Sequence, residues 1–214
     1  MGHYLIIGGS GGIGSALARA LKAEGHTLHL TGRDVSRLQA IATETGATFT
    51  VGDVLDQGFI ASAVLEAGPV LDGLAYCAGT INLKPLARLT DEDFRHDHAV
   101  NALGAVQTIQ AALPALKAAS GTASILLFSS IAVAQGFVSH ASISMAKGAI
   151  EGLTRALSAE LAPKIRVNAI APSLTDTPLA KAITGNAAIA QGIAALHAIP
   201  RLGEADDIAA IGAL

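Results

Sequence analysis

In LIIGGSGGIGSALARAL, residues 5–21, an apolar run ends at Ile7 and glycines follow at Gly8, Gly9, Gly11, Gly12 and Gly14. Only Ser10 and Ile13 carry side chains within that turn, and an Ala- and Leu-rich segment starts immediately after it. Glycine lets backbone approach a pyrophosphate closely, and the first turn of a helix offers unpaired N–H groups and the positive end of its dipole. A glycine-rich turn between a first strand and a first helix therefore predicts a dinucleotide-binding cradle built from Gly8, Ser10, Gly11, Gly12, Ile13 and Gly14.

Outward from that turn, short apolar runs recur at 4–7, 27–30, 48–51, 74–77, 124–128 and 166–169. Segments of helical character separate them, at 13–24, 36–45, 57–67, 91–119, 143–161 and, more weakly, 180–197. Strand–helix alternation of this kind predicts an α/β fold with a doubly wound parallel sheet, Rossmann-type, between two helical layers. With 214 residues, the chain 1–214 is expected to form a single domain. The stretch from 171 to 201, apolar and carrying Pro172, Pro178 and Pro200, is expected to cover a site.

Composition narrows the function classes. Hydrophobic residues make up 51% of the chain and charged ones 14%, a balance that excludes a disordered chain. A net charge of -3 supplies no basic stripe for nucleic acid. The apolar stretches are interrupted well before the ~18 residues that a membrane span needs. MGHYLIIGG has neither a basic start nor a long apolar core, so no secretory signal is read there. The one cysteine, Cys77, cannot pair within the chain, which fits a reducing, cytoplasmic setting. The histidines lack metal-site spacing, and no metal is expected.

The second strand leads into Gly32-Arg33-Asp34. An arginine at that position accommodates the 2′-phosphate of NADP(H), whereas an acid binds the ribose 2′-OH of NAD(H). Arg33 puts NADP(H) ahead of NAD(H), and Asp34 is read either as a displaced acid or as the cap of the next helix. Asp53 and Val54 close the third strand, where the carboxylate either accepts from an adenine amino group or caps the following helix.

These residues together resemble the short-chain dehydrogenase/reductase family along essentially the whole chain. Its Gly-x-x-x-Gly-x-Gly turn aligns with Gly8, Gly12 and Gly14, and its Asp-Val adenine site with Asp53 and Val54. The Asn-Asn-Ala-Gly segment becomes Tyr76, Cys77, Ala78 and Gly79; the helix asparagine is Asn101 and the strand-end serine Ser130. Thr177 matches the threonine of the nicotinamide segment, with Ser173 in place of its glycine. Ile143 occupies the tyrosine position of Tyr-x-x-x-Lys, and the lysine is Lys147. The family's serine-to-tyrosine separation of thirteen residues holds between 130 and 143, which secures the register.

The resemblance implies that Ser130 binds the substrate oxygen, Lys147 the nicotinamide ribose, and Asn101 a relay water. In the family the tyrosine passes the proton, and a phenol with a pKa of about 10 does so at neutral pH only beside a cation. Isoleucine has no proton to give. His140, Ser142 and Ser144 lie near enough to be weighed as substitutes, but each reads more simply as a cap, surface or loop residue; Ser129 and Ser130 could bind a carbonyl oxygen, but an unassisted serine is a poor acid. Cys77 reads as a structural thiol, and Arg155 with Glu151 as an exposed helix pair. The expected activity is an NADP-dependent oxidoreductase on a carbonyl or alcohol, weakened at Ile143. The alternatives are an NADP(H)-binding protein without catalysis and, more remotely, proton-transfer chemistry without hydride transfer. The resemblance implies a homodimer or homotetramer through the helices at 91–119 and 143–161. It also implies a last strand after RLGEADDIA, which the 214 residues do not include.

Overall fold

A computed structural model describes residues 1–213. Six parallel strands form one sheet: β1 (His3–Ile7), β2 (Thr27–Gly32), β3 (Thr48–Val51), β4 (Gly73–Tyr76), β5 (Ala123–Phe128) and β6 (Ile165–Ile170). Their order is β3-β2-β1-β4-β5-β6, with β6 at one edge of the described sheet. The chain winds outward in one direction from β1 through β2 to β3, then in the other from β4, so the switch lies between β1 and β4. In open sheets of this kind a ligand binds beyond the carboxyl ends of the strands at that switch.

The two-residue period of a strand divides its side chains between two helical layers. Leu5 and Ile7 face one cluster with Leu74, Tyr76, Ile125, Leu127 and Val167. Ile6 faces the other, with Leu28, Leu30 and Ala75. The first side is covered by α3 (Phe59–Ala67), α5 (Gly104–Lys117) and α7 (Ala141–Leu161). The second is covered by α1 (Gly12–Ala23), α2 (Val35–Thr45) and α10 (Ala205–Gly212). The span Asp91–Lys117 is long and apolar enough to cross a membrane. Here Ala105, Ile109, Ala112 and Leu116 on its second half are buried in the core instead.

One predicted helix carries a π turn and another divides. The expected helix at 91–119 runs continuously over Asp91–Lys117, as α4 (Asp91–His98), a π-helical turn (Ala99–Leu103) and α5. The expected helix at 180–197 resolves into a 3₁₀ turn (Pro178–Ala180), α8 (Lys181–Thr184) and α9 (Ala187–Ala194). Pro178 starts the first of these pieces, and Gly185 and Asn186 separate the other two, with Asn186 capping Ala188 and Ile189. A short helix α6 (Ala132–Gln135) follows β5, and the two-residue strands β7 (Thr175–Asp176) and β8 (Gly203–Glu204) pair in parallel.

Candidate active site

Glycines define the floor of the site. Gly8 has φ +79°, a region that disfavours side chains, and a Cβ there would lie 2.9 Å from the backbone of Cys77 and Ala78. The turns after β1 and β4 are thus packed against each other at the sheet's switch. Gly14 faces Gly8 so closely that a Cβ would collide with its carbonyl oxygen. Gly11 caps α1 without a side-chain bond, so the first N–H groups of the helix, at Gly12, Ile13 and Gly14, point out of the turn. A Cβ on Gly12 would sit 2.7 Å from Thr177 Cγ2, which brings the segment after β6 onto the turn. Ser10 Oγ lies against Gly32, at the end of β2. The result is a backbone cradle with a positive dipole end, shaped for the pyrophosphate of a dinucleotide.

At the ends of β2 and β3, the Arg33 guanidinium reaches Asp53 Oδ2 at 3.2 Å while its side chain stays 79% exposed. Asp34 caps α2 by accepting from Arg37 N at 3.1 Å and from Ser36 Oγ at 2.6 Å, and these bonds hold its pKa below the ordinary carboxylate value. The cap reading of Asp34 is therefore the one observed. Asp53 does not cap α3, whose N-cap is Gly58; its Oδ1 instead accepts from Leu55 N at 3.0 Å. Val54 is half-buried and wedges between two core clusters, fixing the backbone beside Asp53.

The reaction end is built by β4, β5, the π turn and α7. Lys147 Nζ donates to Phe128 O at 2.9 Å, and burial pushes its pKa down to about 8. Cys77 beside it is half-buried, and desolvation raises its thiol pKa to about 12, which keeps it protonated at neutral pH. Asn101 is buried; its Nδ2 donates to Thr80 Oγ1 at 2.7 Å and to Asp97 O at 2.8 Å, and its Oδ1 accepts from Thr80 N at 3.3 Å. The wider π turn gives the amide room to reach back one turn. A Cβ on Gly79 would lie 2.9 Å from Asn101 Oδ1 and 3.5 Å from Lys147 Nζ, so the two groups face one small space that Gly79 leaves open. Ser130 Oγ accepts from Ala132 N at 3.2 Å, and among the described residues its proton has no partner.

Ile143 is buried, 6% exposed, one helical turn before Lys147. No phenol, and no other proton donor, stands at that position. Ser142 points elsewhere, donating to Asp97 Oδ2 at 2.6 Å. Ser144 donates to Ala132 O at 3.2 Å. Ser129 donates to Glu151 Oε1 at 2.9 Å, so Glu151 is more than the exposed partner of Arg155: it ties the end of β5 to α7 beside Ser130.

Sequence reasoning missed Asp97 and Thr80. Asp97 is fully buried and accepts from Thr80 Oγ1 and Ser142 Oγ, both at 2.6 Å, stitching α4, α7 and the turn after β4 around Asn101. Its place four residues before Asn101, on one helix face, was the available signal.

Comparison with known proteins fits this geometry. A family profile described as enoyl-(acyl carrier protein) reductase matches residues 8–214. The chain belongs to the short-chain dehydrogenase/reductase family. A 3-dehydrosphinganine reductase of Arabidopsis thaliana is 38% identical over 186 residues, covering 82% of this chain and 56% of the relative. An L-2,3-butanediol dehydrogenase of Corynebacterium glutamicum is 34% identical over 184 residues, covering 81% and 71%. Among solved family structures, a glucose/ribitol dehydrogenase-type protein from Brucella melitensis superposes with a TM-score of 0.91 at 30% identity, covering 99% of this chain and 87% of that one. An actinorhodin polyketide ketoreductase variant with NADPH gives 0.89 at 27% identity, covering 99% and 88%. The chain thus spans little more than half the length of the first of these relatives.

Proposed function

We propose that this chain is an NADP(H)-dependent oxidoreductase acting on a carbonyl or alcohol, with its proton-transfer step weakened at Ile143. The observation that carries the reading is the convergence of Lys147 and Asn101 on the space left by Gly79, with a Ser130 at the end of β5 whose proton has no partner among the described residues. The glycine cradle fits the cofactor's pyrophosphate, and Arg33 fits a 2′-phosphate, because its guanidinium is exposed while Asp34 is engaged as a cap. The relatives' names, reductases and dehydrogenases, support the same class.

When bound, the nicotinamide cofactor supplies or accepts the hydride. Lys147 binds and orients its ribose hydroxyls, and Ser130 donates to the substrate oxygen. Asn101 keeps one acceptor lone pair on Oδ1 for a water, its two amide protons being spent on Thr80 and Asp97. Nothing at 143 hands a proton to that oxygen, and loss of a positioned general acid typically costs ~10²- to 10⁴-fold. Beside α6 and the start of α7 lies a cavity of about 560 Å³ whose wall includes Leu86, Val133, Phe137, Val138, His140 and Ser144. That mostly apolar wall suits a carbonyl compound with an apolar body.

Ile143 also favours a second reading, an NADP(H)-binding protein without turnover. Incubation with NADPH and a panel of carbonyl compounds, followed by absorbance and paired with a binding titration, separates the two. Oxidation of NADPH supports the enzyme; saturable binding with no oxidation supports the second reading. We further propose a reducing, cytoplasmic setting and a homodimer or homotetramer through the helices at 91–119 and 143–161, where Leu103, Met145 and Ala156 are exposed.

A further inference from the structure

A second chemical constellation lies in the segment after β6, formed by residues to which the proposed reductase chemistry gives no role. Ser173 Oγ and His197 Nε2 are 2.7 Å apart, and His197 Nδ1 is 2.6 Å from Arg201 O. A carbonyl oxygen can only accept, so Nδ1 carries a proton in that bond. In the neutral ring Nε2 is then bare, and the Ser173 hydroxyl must be the donor to it. That is the polarity of a nucleophile held by its base, with the base oriented by a third group.

The arrangement is anchored from both sides. The guanidinium of Arg201 grips Asp207 with two bonds of 2.6 and 2.8 Å and also donates to Leu202 O, pinning the backbone whose carbonyl orients His197. Asp207, held at a pKa of about 2 by Arg201, in turn accepts from Glu204 N. On the serine side, Gly203 N donates to Leu174 O and β7 pairs with β8, which fixes Ser173 next to this group. Ser173, His197 and Arg201 line a cavity of about 310 Å³ together with Ile199, Leu202 and Ile208. This is room for a short acyl chain against an apolar wall.

We infer that Ser173 is a nucleophile that takes up small acyl groups from esters, with His197 as its base. Oγ attacks the ester carbonyl carbon as its proton passes to Nε2. The tetrahedral adduct expels the alcohol, which leaves with that proton, and Ser173 is left as an acyl ester beside a neutral His197. No oxidant, reductant or cofactor enters the balance. The Arg201 guanidinium is turned to Asp207 and Leu202 O, away from service as an oxyanion donor, and the lack of one such donor costs ~10²–10³ in rate. Acylation and hydrolysis of the acyl-enzyme are both slowed by that lack; with an activated aryl ester, whose leaving group departs readily, acylation outruns hydrolysis and the acyl-enzyme accumulates.

The test uses the full chain without added cofactor and p-nitrophenyl acetate as the probe. It follows nitrophenolate release and maps the acetyl group by peptide mass spectrometry. The inference predicts up to one acetyl per chain on Ser173, absent in Ser173→Ala and Ser173→Gly. In His197→Ala and His197→Phe it should form ~10²-fold or more slowly, with circular dichroism checking that the variants fold. No acetylation, acetylation only at other residues, or labelling of Ser173 at the wild-type rate in folded His197 variants would overturn it.

Discussion

The Lys147 ammonium donates to Phe128 O at 2.9 Å, one helical turn beyond a buried Ile143. In the family the lysine acts on a phenol beside it. Here the side chain one turn before the lysine is a hydrocarbon, and the ammonium is tied to backbone. On the proposed reading the lysine keeps the cofactor-binding role, while a role in lowering a neighbour's pKa has no object.

The enclosure of Lys147 has a pH signature. With its folded pKa lowered from 10.5 to about 8, burial penalises the charged form. Below about pH 8 both folded and unfolded chains hold the proton, and the penalty is present in full. Between about 8 and 10.5 the unfolded chain holds more protons, so this group makes stability rise with pH, by at most ~1.4 kcal/mol per unit. Urea unfolding of Lys147→Met should lack that contribution, so the wild type should gain on it between pH 7 and 9.5. Parallel profiles for the two would contradict the assignment.

Gly79 keeps open the space between Asn101 and Lys147. In Gly79→Ala the methyl would lie 2.9 Å from an Asn101 oxygen whose amide is pinned by Thr80 and Asp97, so the neighbours must shift at a cost of ~1–3 kcal/mol. Where the methyl also takes up space meant for the nicotinamide ribose, a clash of that size lowers NADPH affinity ~5- to 150-fold, measured by fluorescence titration, with the fold retained. Unchanged affinity would place the nicotinamide ribose elsewhere.

We propose that Arg33 sets cofactor choice. A charge-assisted bond to the 2′-phosphate is worth ~1.5–3 kcal/mol, so Arg33→Ala should weaken NADPH about 10- to 150-fold and NADH far less. Freed from Arg33, Asp53 would still be held by Leu55 N. Equal losses for both cofactors would refute the NADP(H) reading.

Gly14→Val places a branched side chain against Gly8 O and within 3.0 Å of Gly9 Cα. Binding of either dinucleotide should disappear while circular dichroism keeps most of the α/β signal. Retained affinity would show that the turn is not the phosphate site.

Much of this organisation was readable from residue order because it is local. Strand positions followed from apolar runs of strand length, and the cradle from glycines placed between a strand and a helix. What escaped depends on contacts across the fold. Nothing local marks the π turn at Ala99–Leu103, whose asparagine is satisfied by Thr80, 21 residues earlier. Asp97 reads as a polar helix residue until Ser142 and Thr80 are seen to close over it. The segment around His197 was read as one helix from its alanines, whereas Pro178, Gly185 and Asn186 divide it. That division contributes to presenting His197 to Ser173.

The central claim is that a competent site has lost only its proton donor, and Ile143→Tyr tests it most directly. The new phenol would stand one turn before Lys147, whose ammonium lowers its pKa. With NADPH binding and folding verified, the rate of NADPH-dependent reduction across a carbonyl panel is the measurement. The account predicts a rise over wild type of up to ~10²- to 10⁴-fold where proton transfer limits the rate. A folded, NADPH-binding variant with no gain on any carbonyl would contradict it.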